Sequence, residues 1–183
     1  MKKILLPVFI GLCLVAAFFI GKKLYLKPNI ENGAYAAEFS GTGLDGKKFM
    51  LSGMKRNYIL LDFWGSWCAP CRKGHPDLVK LYRDFHGKSF TDAEGFELVS
   101  IALEQNEQIW RTAISEDSLY WPHHILAEKM FKSSIATSYN VRQLPTKFLI
   151  NPKGVIIAID PSLDKVRKTL NAKLKDVESQ GDK

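Results

Sequence analysis

Cysteine is scarce in this chain: three residues in 183, one of them within the first 20. A disulfide-stapled scaffold would show several spaced pairs, so that architecture is excluded. Acid is missing altogether from the first 27 residues, which hold five of the 26 lysines and arginines. The remainder carries 21 basic against 19 acidic residues. The basic excess therefore flanks a hydrophobic segment and does not form the stripe that marks a nucleic-acid binder, so nucleic acid is set aside. No second cysteine pair or Cys/His couple is present, and His123 and His124 are adjacent, which is poor chelating spacing. That ligand count argues against a zinc centre, and no metal or other cofactor is expected. Internal repeats and low-complexity tracts are also absent.

What is present is the composition of one ordinary domain, with 46% hydrophobic and 25% charged residues. A body of about 150 residues buries roughly two-thirds of its unfolded surface and needs no staples. Ile4 to Ile20 is almost wholly apolar, bracketed by Lys2-Lys3 and Lys22-Lys23. Its length of about 26 Å as a helix falls slightly short of a ~30 Å hydrocarbon core, a gap that snorkelling lysines can cover. Ala34-Tyr35-Ala36 has the form of a signal-peptide cleavage site but lies far beyond the apolar run. An uncleaved signal anchor is favoured over cleavage. Leu12 precedes Cys13, where lipidation requires a small residue, so Cys13 is read as an inert membrane thiol. The positive-inside rule votes weakly for a cytoplasmic N-terminus and an exported body.

Residues 22–37 read as a linker interrupted by Pro28, Asn29, Asn32 and Gly33. Turns at 41–43 and 45–46 precede a short strand near Phe49–Leu51. Tyr58–Trp64 suits a strand buried on both faces, with Asp62 the exception in it. A helix is expected over Ala69–Phe85, kinked at Pro76. Further expectations are a strand at Phe96–Leu103, a helix at Glu107–Ser115 and a short helix at Ser134–Tyr139. Strands at Lys147–Ile150 and Val155–Ile159 flank a turn, and a closing helix runs over Leu163–Val177 with Val166, Leu170 and Leu174 on one face. This order favours an α/β fold with a central mixed sheet flanked by helices.

The chemistry concentrates in Asp62-Phe63-Trp64-Gly65-Ser66-Trp67-Cys68-Ala69-Pro70-Cys71. A strand leads into a helix whose N-terminus holds Cys68, where free N–H groups and the dipole favour a thiolate. The thiolate is the species that attacks a disulfide. Two intervening residues bring Cys71 one turn into the same helix, placed to resolve a mixed disulfide. Pro70 is tolerated in a first turn. The competing readings of C-x-x-C are half a zinc site and two inert buried thiols.

This segment resembles the active site of thioredoxin-like proteins, and most of all the membrane-associated TlpA/ResA type. The resemblance extends from about Phe39 to Val177. Pro76 matches the proline that kinks the family's active-site helix, and Leu144-Pro145-Thr146 matches the position of its cis-proline. The resemblance implies a thioredoxin-like fold over 38–178, after a signal anchor or signal peptide (1–21) and linker (22–37), with a polar tail at 179–183. It implies Cys68 and Cys71 as the redox pair and Trp67, Leu144 and Pro145 as substrate-binding residues. Asp62 occupies the place of the family's buried aspartate beneath the second cysteine. A lone carboxylate in an apolar strand would be desolvated and its pKa raised, which suits it to accept the Cys71 proton. The alternative is a solvated carboxylate at a strand edge. One departure is Gly74, where the TlpA/ResA type often has glutamate. His75 could tune the site or be an exposed bystander, and Glu104 could approach it. Arg72-Lys73 reads as a solvated face, and Tyr35, Trp110 and Trp121 as packing or partner surface.

The expected activity is thiol–disulfide exchange, more in the reducing direction. The protein would be membrane-anchored on the extracytoplasmic or periplasmic face. Protein thiols and disulfides are the expected substrates, cytochrome c apoproteins among them, with a transmembrane electron donor. Alternatives are a peroxidase, whose P-x-x-x-T-x-x-C pattern is absent before Cys68, and a copper carrier, whose wider cysteine spacing and histidine partner are absent.

Overall fold

The computed structural model describes residues 2–26 and 30–175. Its elements run α1 (Lys2–Leu26), β1 (Ser40–Thr42), β2 (Lys48–Met50), β3 (Asn57–Trp64), α2 (Ala69–Phe85), β4 (Gly95–Ala102), α3 (Glu107–Glu116), β5 (His123–Leu126), α4 (Ser134–Ser138), β6 (Thr146–Ile150), β7 (Ile156–Ile159) and α5 (Leu163–Asn171). Pro28 and Asn29 of the expected linker, the end of the expected closing helix and the polar tail lie outside the described residues.

β3 occupies the centre because it has apolar residues on both faces. Leu60, Leu61, Phe63 and Trp64 are all fully buried. The sheet order is β5-β4-β3-β6-β7. β3, β4 and β5 are parallel neighbours, joined through the crossover helices α2 and α3, while β6 and β7 return antiparallel. Side chains alternate along β3, so Tyr58, Leu60 and Trp64 pack with Leu78, Leu81 and Phe85 of α2, Trp110 of α3 and Leu170 of α5. Ile59, Leu61 and Phe63 face the other way, onto Phe39, Leu51, Ile135 and Tyr139. The mixed sheet with helices on both faces is the architecture expected from the order of elements.

The helices start where short polar side chains satisfy free N–H groups. Asn106 Oδ1 accepts from Ile109 N–H at 3.1 Å, Ser133 Oγ from Ala136 N–H at 3.2 Å, and Ser162 Oγ from Lys165 N–H at 3.3 Å.

Four local expectations are corrected. β5 lies where no strand was expected, because Pro122 and two histidines mask its short apolar run. β1 pairs with β2 across residues expected to be only a turn. α5 ends at Asn171, and Leu174 is not on its face. The chain there leaves the helix to bond residues 89–91, with Thr91 N–H to Lys173 O at 2.8 Å and Lys175 N–H to Ser89 O at 3.0 Å. Residues 33–36, expected as linker, run along β7: Gly33 N–H donates to Ile156 O at 2.8 Å, and Ala36 N–H to Gly154 O at 2.8 Å.

The apolar leader forms α1, which continues past Lys22 to Leu26. Its described side chains are exposed, among them Ile10, Leu12, Leu14, Val15, Phe18, Phe19 and Ile20. Cys13 is exposed and unpaired. Among the described residues, no helix is long and apolar enough to cross a membrane.

Candidate active site

Cys68 and Cys71 are joined as a disulfide, with Cα atoms 5.3 Å apart. Cys68 is the N-cap of α2, and its sulfur accepts from the Cys71 N–H at 3.3 Å. Pro70 occupies the first turn, where no donor is needed. The positive end of the helix thus points at the Cys68 sulfur and favours negative charge on it once the bond opens. Both cysteines are buried, in one cluster with Trp64 and Leu78. Pro76 lies inside α2, as expected, where it removes one hydrogen bond of the helix.

The loop before Cys68 is fixed from the residues that follow β4. The Trp67 indole N–H donates to Leu103 O at 2.9 Å, and the Ser66 hydroxyl bonds to the carboxylate of Glu104. Glu104 also accepts from the backbone N–H of Gln105 at 2.8 Å, so one buried carboxylate ties the two loops together. A Cβ on Gly65 would sit 2.8 Å from the Trp67 indole nitrogen and 3.2 Å from Leu103 O, so the fold-back of this ring requires glycine. Trp67 is half exposed, and Phe131 packs beside it with ring centroids 6.3 Å apart.

Leu144-Pro145 is a cis peptide, at the position expected for it. Pairing of Phe63 with Thr146 sets Pro145 at the C-terminal end of β3, the end from which the chain leaves for Cys68. The fold thus brings Trp67, Leu144 and Pro145 to the cysteine end of the sheet. A cleft of about 970 Å³ is lined by β1, α3 and α4 residues and by neither cysteine.

Asp62 is 1% exposed and lies on the strand face it shares with Leu60 and Trp64, beneath α2. It is not a lone carboxylate: Lys147 Nζ sits 3.1 Å from its Oδ1. The pair follows from register, because Asp62 lies opposite Lys147 across β3 and β6. Oδ2 of Asp62 is buried with no hydrogen-bond partner among the described residues. In the other direction Asp62 pairs with Ser100, and Ser100 with His124. A polar row, Lys147-Asp62-Ser100-His124, therefore crosses four strands of the apolar sheet under the active-site helix.

His124 stacks on Trp121 and bonds the Leu119 carbonyl through Nε2 at 3.2 Å. Burial drives its pKa down to about 4 against the partial opposition of that carbonyl. The unfolded chain, with an ordinary histidine, takes up a proton first as pH falls. Stability from His124 is thus complete above about pH 6.5 and lost as pH falls toward about 4, on the order of 3 kcal/mol. Urea midpoints compared at pH 7.5 and 4.5 should show this loss, and it should shrink in His124→Phe. Equal losses in both proteins would assign the acid sensitivity elsewhere.

The expectation of a solvated Arg72 and an exposed His75 is corrected. His75 is 1% exposed, and Arg72 donates to Asp117. Asp117 and Lys147 carried no signal in the sequence, because only tertiary pairing brings them to α2 and β3.

A disulfide capping a helix that leaves a central strand, with a cis-proline at the same sheet end, defines the class as thiol–disulfide oxidoreductase. Residues 56–156 match the family model described as thioredoxin-like. The thiol-disulfide oxidoreductase ResA of Bacillus cereus is 30% identical over 148 residues, 81% of this chain and 77% of that protein. ResA of Bacillus subtilis is 28% identical over 163 residues, 86% of each chain. Among solved structures, the thioredoxin domain of a thiol-disulfide oxidoreductase from Bacteroides vulgatus superposes with a TM-score of 0.69 at 31% identity. It covers 78% of this chain and 100% of that one. The chain belongs to the thioredoxin-like family.

Proposed function

We propose that the protein is a membrane-anchored, extracytoplasmic protein-disulfide reductase in which Cys68 attacks the substrate disulfide and Cys71 resolves the mixed disulfide. The observation that carries this assignment of roles is the N-cap position of Cys68, which directs the helix N-terminus at its sulfur. Cys71 lies inside the first turn and bonds back through its N–H. Trp67, Leu144 and Pro145 form the surface on which the substrate chain rests. Asp62 takes the Cys71 proton as Cys71 attacks.

Anchoring is supported by the exposed apolar side chains of α1 and by the lysine pairs that bracket its apolar run. Protein disulfides occur in oxidising compartments, which would supply substrate to an exported body. An electron donor in the membrane would return the pair to the dithiol. Cytochrome c apoproteins are one substrate class consistent with the ResA likeness.

Direction is tested by equilibrating the protein with thiol buffers of known potential. A value near about −270 mV is expected for a reductase. A value near about −120 mV would instead make it a disulfide donor.

A further inference from the structure

Between α2 and α3 lies a buried titratable group that the scheme above does not use. His75 sits one helical turn after Cys71 and is 1% exposed. Its Nδ1 lies 2.6 Å from Asp117 Oδ2. Asp117, at the C-terminal end of α3, also accepts from Arg72 Nε at 2.9 Å and Arg72 Nη2 at 2.6 Å. Burial pushes the Asp117 carboxyl up, but hydrogen bonds from Arg72 and His75 outweigh it and hold it below the ordinary carboxylate value.

An ionised carboxylate only accepts, so His75 Nδ1 donates. Its Nε2 is buried with no hydrogen-bond partner among the described residues. A buried ring nitrogen left uncommitted in this way calls for an explanation. The ring stands edge-on to Trp64, with centroids 4.8 Å apart, and Trp64 packs in the cluster that holds both cysteines. Residues four apart share a helix face, so His75 lies on the buried face of α2 that carries Cys71. An acid that fixes one nitrogen of a histidine and leaves the other as a base is the arrangement of a proton-accepting dyad.

We infer that His75, oriented by Asp117, is a second proton acceptor for Cys71, acting alongside Asp62. The inference rests on Cys71 being the resolving thiol. In that step the Cys71 S–H bond breaks and the proton passes to His75 Nε2. The Cys71 sulfur forms the bond to Cys68, and the substrate sulfur leaves with the electron pair of the broken mixed disulfide. Over the whole exchange the protein dithiol loses two electrons and the substrate disulfide gains them, its thiolates taking protons from His75 or solvent. The charged groups joined to His75 or to its partner are Asp117 at the end of α3, Arg72 from α2 and, through Arg72, Glu116.

The test is a titration of the imidazole nitrogens of the full chain in detergent micelles by NMR, in oxidised and dithiol-reduced forms. Shared protonation is reciprocal, so the His75 midpoint should move by about one pH unit or more on reduction. The move should shrink in Asp117→Asn. His75→Gln, which removes the ring base and keeps a polar side chain, should release a preformed mixed disulfide about tenfold more slowly. Its rate–pH profile should also lose one limb. A His75 midpoint identical in both forms overturns the inference, even if His75→Gln slows release, and leaves the dyad as a tie between α2 and α3. The wild-type titration decides this whether or not the variants fold. A wild-type chain that never re-forms its disulfide overturns the oxidoreductase reading, and this one with it.

Discussion

Cys68→Ser should reduce protein disulfides no faster than free thiol in the same buffer, while Cys71→Ser should accumulate a covalent adduct with its substrate. The two variants separate the roles proposed for two sulfurs only one helical turn apart. Removing Cys68 takes away the sulfur that the N-terminus of α2 addresses. No other described cysteine can substitute, because Cys13 lies in α1. Removing Cys71 leaves the attack intact but deletes the thiol that completes the exchange. Insulin reduction followed by turbidity measures the first loss, and intact-protein mass measures the trapped adduct. An adduct on Cys68→Ser in place of Cys71→Ser would reverse the assignment.

Lys147→Met should destabilise the protein by about 3 kcal/mol at neutral pH, because it strands the Asp62 carboxylate in the sheet interior. The pair is nearly dry, with side-chain exposures of 2% for Asp62 and 17% for Lys147. Replacing both partners, as Asp62→Leu with Lys147→Met, should recover most of that loss, since neither desolvated charge remains. Urea unfolding of the four proteins closes the cycle. Asp62→Asn has a different consequence, slowing release of the mixed disulfide by about 10²-fold through loss of a proton acceptor. If the two stability losses simply add, the buried pair is not coupled. If release is unchanged in Asp62→Asn, the proton leaves by another route.

Much of this architecture was legible in the sequence because local signals and tertiary packing agree. The helix over Ala69–Phe85 was readable from its apolar spacing and from Cys68 and Pro70 at its start. β3 was readable because a run buried on both faces has one natural place, the centre of an α/β sheet. The cysteines that form the disulfide and the proline of the cis peptide were legible as motifs. β5 was not, because a four-residue strand carrying two histidines has no apolar period to detect. Leu174 looked like one more helical position, yet the chain there finds backbone partners at 89–91 and abandons the helix.

The electrostatics of the site were the least legible part. Asp62 looked alone because its partner lies 85 positions away and meets it only through antiparallel register. His75 looked like a surface residue because its neighbours are Gly74 and Pro76, and nothing local foretells Asp117. Asp62 and His75 are buried polar groups in the layer around the disulfide, where local sequence rules yield to function.

The central claim is that Cys68 and Cys71 exchange a disulfide with protein substrates. The most direct measurement mixes the fully reduced chain with a peptide disulfide and counts the thiols on each side by alkylation and mass. The account predicts that both Cys68 and Cys71 lose their thiols, one substrate disulfide being reduced for each protein oxidised. Unchanged thiols on Cys68 and Cys71 while the substrate stays oxidised would contradict it.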